Sequence, residues 1–206
     1  MFGVLTDAAF YRAILDGRTD VFLDLLDRLA ESLTENGVDF VASDAMEGFN
    51  PAHDICRVLV DAARVMVNRK IDKTFASYAF NLTGWEQDRP PTHDAACVHL
   101  PLDDESFRQK MAVARNYLPL SADVGHAINE LGEDYFRIEC LRKVGLASSR
   151  PASAKPYYEI VGEQRVGSGA YARPIRYEEH VKPLMQAIGA HAGAVSEGTR
   201  LGSPNI

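Results

Sequence analysis

The sequence predicts an α/β fold: an incomplete layered sandwich with a mostly parallel sheet flanked by helices, followed by a hairpin-and-helix extension. Three observations point there. Helical spacing of apolar residues alternates with short β-forming runs, the connections are rich in Gly, Pro and Asp, and the chain opens directly on a helical pattern, LTDAAFYRAILDG. An open parallel sheet ordinarily begins with a strand whose following loop carries ligand chemistry, so the expectation is a sheet lacking its first strand.

The first helices fall at residues 7–16 and 19–36, where Val21, Leu25, Leu29 and Leu33 recur every four residues with Phe22 and Leu26 beside them. Asn36-Gly37 ends the second, as such pairs end helices. Val38 to Ala42 reads as a short strand, and Pro51 is placed for the first turn of a helix carrying Ile55, Leu59, Ala62, Ala63 and Met66.

Residues 75–82 and 96–102 read as two more strands around a breaker-rich surface loop, GWEQDRPPTHD. Asp103-Asp104-Glu105 provides an acidic first turn for a helix reaching Tyr117, and a further helix covers 122–132, stopping at Gly132. Residues 135–144 read as a strand or extended edge, and 146–156 as a linker. YYEIVGEQRVGSGAY suggests a hairpin with its turn at GSG, 176–189 a last helix, and the small, polar remainder a frayed tail. The domain expectation is 1–144, an extension at 145–188, and a flexible tail at 189–206.

Composition narrows the function classes. With 46% hydrophobic and 25% charged residues, the 206-residue chain has the make-up of an ordinary folded domain with a sizeable core. A formal charge of −7, from 22 basic against 29 acidic residues, disfavours a grip on nucleic acid through phosphate neutralisation. Cys56, Cys97 and Cys140 are an odd, widely spaced set without CxxC, which fits a reducing, cytoplasmic setting better than a disulfide framework. No apolar run is long enough for a membrane span, and no signal-peptide pattern follows Met1.

The densest chemistry lies in SDAMEGFNPAHDICR, residues 43–57, at the carboxyl end of a predicted strand, where open α/β sheets bind ligands. Asp44, Glu47, His53 and Asp54 carry oxygen and imidazole donors suited to a hard or borderline metal, and Asn50 can hold a hydroxyl. A plainer reading has Asn50 capping the helix, Pro51 starting it and Asp54 complementing its dipole; the two readings are compatible. His93, Asp94, His99, Asp103 and Asp104 form a second polar stretch without a common chelating face, and the two aspartates there most simply favour a helix N-terminus. His126 and His180 fall in predicted helices. A Ser-His-Asp hydrolase lacks its GxSxG elbow, and Cys56 lies inside an apolar-faced helix.

Taken in order, FLDLLDRLAESLTENGVDFVASDAMEGFNPAHDICRVLVDAA, then FRQKMAVARNY and GEDYFRIECLR, residues 20–142 resemble the LmbE-like or PIG-L family of N-acetylglucosamine-type deacetylases. NPAHD stands where that family has a His-Pro-Asp-His type motif: Pro51 and His53 match, with Asn50 in place of the first His and Ala52 in place of Asp. The resemblance implies a three-layer, Rossmann-like sheet and a zinc-dependent hydrolase acting on the acetamido group of an aminosugar conjugate. It implies His53 as a metal ligand, with Asp54 as its orienting or proton-handling partner; Asp44, Glu47 and Asn50 are read from their own chemistry as contacts to substrate hydroxyls. The family's N-terminal His-Pro-Asp-Asp motif, which supplies the remaining ligands, does not occur in these residues. The expectation is therefore a truncated enzyme completed by an N-terminal segment or by a second copy, or else a non-catalytic sugar-binding or interaction module, with weak zinc binding by this chain alone.

Overall fold

The computed structural model describes residues 5–71, 75–81, 97–118, 121–145 and 155–198. The chain is α/β with a four-stranded mixed sheet. It divides into two compact units, Met1–Gly84 with Lys143–Ile206, and Trp85–Arg142.

In the first unit α1 (Asp7–Leu15) and α2 (Thr19–Glu35) form where the apolar spacing predicts them. Thr6 caps α1 by accepting the Ala9 N–H. At the end of α2, Asn36 returns its backbone and side-chain N–H groups to Ser32, and Gly37 takes φ +58°, which a side chain would resist. Strand β1 (Phe40–Asp44) follows, then the long helix α3 (Pro51–Ile71), then β2 (Ala76–Phe80), which pairs with β1 in parallel from Phe40 opposite Ala76 to Asp44 opposite Phe80. Two parallel strands joined through a helix are the βαβ unit expected from the sequence.

Helix α3 is buried on two faces. Ile55, Leu59, Ala62 and Ala63 pack with Phe22, Leu26 and Leu33 of α2 and with Leu184, Ile188 and Ala192 of α7 (Lys182–Gly198) in one apolar cluster. The opposite face carries Arg57, Asp61 and Arg64, spaced four and three residues apart, and these are buried too. Arg57 bonds to β1 and β2, Asp61 accepts from Arg57, and Arg64 donates to the carbonyls that follow residue 143. The periodicity of α3 shows only the first face; charges on the other look like a solvated side.

The carboxyl-terminal segment corrects the sequence reading. Residues expected to form a hairpin are α6 (Tyr157–Gly167), and the GSG stretch closes that helix, with Gly169 at φ +76°. Tyr157, Ile160 and Val161 favour strands locally, but the buried positions Tyr158, Glu159 and Gly162 follow helical spacing, and tertiary contact overrides local preference. Gly162 allows a close approach there: a Cβ would stand 3.1 Å from that of Pro174, which would have to shift by a few tenths of an ångström. A single π-helical turn, Tyr177–Val181, leads into α7, which continues past Gly189 to Gly198. The expected fraying from residue 189 therefore does not begin there: Ala192 is core, and His191 bonds Asp27 of α2 at 2.8 Å.

The second unit contains β3 (Cys97–Pro101), α4 (Asp104–Asn116), α5 (Ser121–Leu131), a 3₁₀ turn (Glu133–Arg137) and β4 (Ile138–Lys143). Strand β3 pairs with β4 antiparallel, His99 facing Cys140, and with the parallel β1–β2 pair this makes the sheet mixed. Asp103 caps α4 through the Ser106 N–H at 2.8 Å, the plainer of its two readings. Arg137 lies over the Phe107 ring and bonds Asp104. His93, Asp94 and the GWEQDRPPTHD loop lie outside the described residues, as does most of the expected 146–156 linker.

Candidate functional site

The carboxyl end of β1 and the start of α3 are joined by residues 45–50, and the turn is built by its own side chains. Asp54, 1% exposed, accepts the N–H groups of Glu47 and Gly48 at 3.1 Å each, folding the loop back onto the first turn of the helix. Gly48 takes φ +68° at this bend. Asn50 caps α3 by accepting the Ala52 N–H at 2.9 Å, and its same oxygen accepts the Tyr11 hydroxyl at 3.0 Å. The Asn50 carbonyl oxygen is thus committed, and its amide NH₂ is the half that remains to donate.

Within this frame His53 Nδ1 lies 2.9 Å from Asp44 Oδ1. A carboxylate only accepts, so Nδ1 carries the proton and Nε2 is the nitrogen the pair leaves over. The His53 side chain is 37% exposed and that of Asp44 19%. The carboxylate that orients His53 is Asp44, nine residues back at the strand end; Asp54, the partner expected from the sequence, holds the loop backbone. Of the five singled-out residues, the structure joins Asp44 to His53 and Asp54 to the Glu47 backbone, and gives Asn50 to the helix cap.

The Asp44 hydrogen bond raises the His53 pKa above its ordinary value, with partial burial opposing and the charges of Asp44, Asp54 and Glu47 adding to the rise. A raised imidazole pKa means that the pair stabilises the fold fully below the unfolded value near ~6.5 and loses that contribution as pH climbs through the folded value. In chelator-treated protein, Asp44→Asn is expected to lower the His53 midpoint in an NMR titration, and its destabilisation should be larger at pH 6 than at pH 9. An unchanged midpoint would show that Asp44 does not hold the ring.

Below the loop, Arg57 is 0% exposed. Its Nη1 donates to Ser43 Oγ at 3.0 Å and the Tyr78 carbonyl at 3.2 Å; its Nη2 donates to Ser77 Oγ at 2.7 Å and to the Asp61 carboxylate. One guanidinium thereby ties α3 to both parallel strands immediately behind Asp44. About two helical turns further on, Arg64 donates to the carbonyls of Val144 and Gly145. The arginines were not singled out from the sequence, although an Arg, Asp, Arg series inside an otherwise apolar helix is the available signal.

Cys56 is the remaining reactive type nearby. Burial, with the Asp44 charge, pushes its thiol up to about 11. It is expected to react with iodoacetamide at neutral pH roughly 100-fold more slowly than an unperturbed cysteine, until the protein unfolds. Mass spectrometry of the Cys56 peptide checks this, and a rate like that of a free thiol would contradict it.

Zinc asks for convergent donors, three from protein in a catalytic site. His53 presents one nitrogen, and among the described residues no three His, Cys, Asp or Glu side chains are grouped to hold a metal ion. The described donor set does not by itself fit a zinc site. Among the described residues no helix is long and apolar enough to cross a membrane. Comparison with protein-family models, curated proteins and solved structures finds no match.

Proposed function

We propose that the chain is a hydrolase-like protein of the LmbE or PIG-L kind, directed at the acetamido group of N-acetylglucosamine-type conjugates. The observation that carries the reading is the Asp44–His53 pair at the carboxyl end of a parallel strand, on a His53 side chain that is 37% exposed. In this reading the imidazole takes a proton from an attacking water at Nε2 and returns it to the departing amine nitrogen, while Asp44 fixes the ring and stabilises the imidazolium. The reading gives Asn50, Asp44 and Glu47 the polar contacts to the substrate. A zinc ion would find a ligand in His53, but no step is assigned to one, since the described residues do not complete its shell.

The second reading, a sugar-binding module without turnover, is supported by the polar make-up of the loop, which carries Asp44, Glu47 and Asn50 within seven residues. Acetate release from N-acetylglucosamine conjugates, with and without added zinc, separates the two. Turnover lost in His53→Ala supports the hydrolase; binding with no acetate release under either condition supports the module.

A further inference from the structure

The loop that carries His53 also carries an aromatic residue that the hydrolase reading leaves unused. Phe49 stacks on Tyr157 of α6 with ring centroids 5.1 Å apart and planes inclined by 3°. Most stacked rings in a folded chain are covered, yet Phe49 is 43% and Tyr157 53% exposed. Together they present apolar ring surface to solvent beside a polar strand-end loop, an arrangement that costs solvation unless something covers it.

The pair is held on both sides. Phe49 stands between Gly48, whose N–H is bound by buried Asp54, and Asn50, which is pinned by Tyr11 and the helix cap. Tyr157 precedes buried Tyr158, whose backbone N–H reaches the Gly48 carbonyl at 3.4 Å. Side chains fixed in advance lose little freedom on binding, which is what a recognition surface needs.

We propose that the outer face of the Tyr157 ring, backed on its other side by the stacked Phe49, takes the C–H face of a neutral pyranose ring, making Tyr157 a specificity-determining residue of this site. A pyranose has an apolar face and a rim of hydroxyls. Laid on that face, it leaves the rim of hydroxyls for polar groups of the adjoining loop. A nucleotide could also stack, but its phosphate would meet the negative charge of Asp44, Glu47 and Asp54 on a chain of net charge −7. The proposal rests on the reading of residues 43–54 as the site. It extends that reading to α6, which lies outside the stretch that resembles the deacetylases.

The test uses the full chain and saturation-transfer NMR with two probes, methyl β-glucopyranoside and methyl N-acetyl-β-glucosaminide, with adenosine monophosphate as the stacking control. Both pyranosides should bind with transfer strongest at ring C–H protons, and Tyr157→Ala should weaken them about tenfold or more while Tyr157→Phe stays within about twofold. Phe49→Leu, which keeps volume but removes the ring, serves as a second variant, and thermal melting confirms that each is folded. Absence of pyranoside binding, affinity unchanged in both Tyr157→Ala and Phe49→Leu, or tighter binding of the nucleotide would each overturn the platform. Acetate release in the same samples separates it from the hydrolase reading. Turnover with KM unchanged in Tyr157→Ala removes the platform alone, and ring-dependent binding without turnover removes the hydrolase alone.

Discussion

His53→Ala is expected to lower deacetylation of an N-acetylglucosamine conjugate by about 10²- to 10⁴-fold in kcat, the range over which a positioned general acid or base contributes. The argument is geometric: the ring is held by Asp44 at 2.9 Å, and the side chain is 37% exposed. Asp44→Asn should keep the ring in place less well and lower its pKa, so the acidic limb of the rate profile should move to lower pH along with a smaller loss of rate. If His53→Ala turns over substrate at the wild-type rate, the imidazole is not the proton carrier. If the limb does not move in Asp44→Asn, the pair does not act as a unit.

Arg57→Ala should destabilise the fold by about 3–5 kcal/mol, the usual cost of leaving one partner of a buried ion pair uncompensated. Asp61, Ser43, Ser77 and the Tyr78 carbonyl would all lose a donor, and a void would open between α3 and the two strands. That is a fifth or more of the ~5–15 kcal/mol by which domains are ordinarily stable. Arg57→Met combined with Asp61→Leu removes both charges and keeps the space filled, so it should recover much of the loss. Urea unfolding midpoints measure all three proteins. A loss under about 1 kcal/mol for Arg57→Ala would mean that water enters and replaces the guanidinium.

Elements set by local chemistry are readable in the sequence. The four-residue spacing of α2, its Asn36-Gly37 stop, the Pro51 start of α3 and the Asp103 cap of α4 each follow from neighbours a turn away. What depends on distant partners is not. Whether Tyr157-Tyr158-Glu159 becomes strand or helix is decided by Gly162 packing on Pro174 and Glu159 accepting the Tyr177 N–H. Asp44 and His53 are both conspicuous as residues, but their pairing depends on a loop that Asp54 folds from inside. Tyr11 reaches Asn50 and Tyr157 reaches Phe49 across long stretches of chain, and neither contact leaves a mark on the spacing of residues. The charged face of α3 misleads for the same reason: exposure is a property of the neighbours, and the strands covering Arg57 come from both sides of it in sequence.

Helix α3 is gripped on opposite sides, by an apolar cluster that resists rotation through shape and by a guanidinium network that resists it through direction. Its middle turns cannot open without dismantling both, so their amides should exchange with deuterium only through unfolding of the whole first unit, while the ends of α1 exchange early. His53 projects from the first turn of the slowest-moving element, and its orientation should therefore survive temperatures that already loosen the periphery.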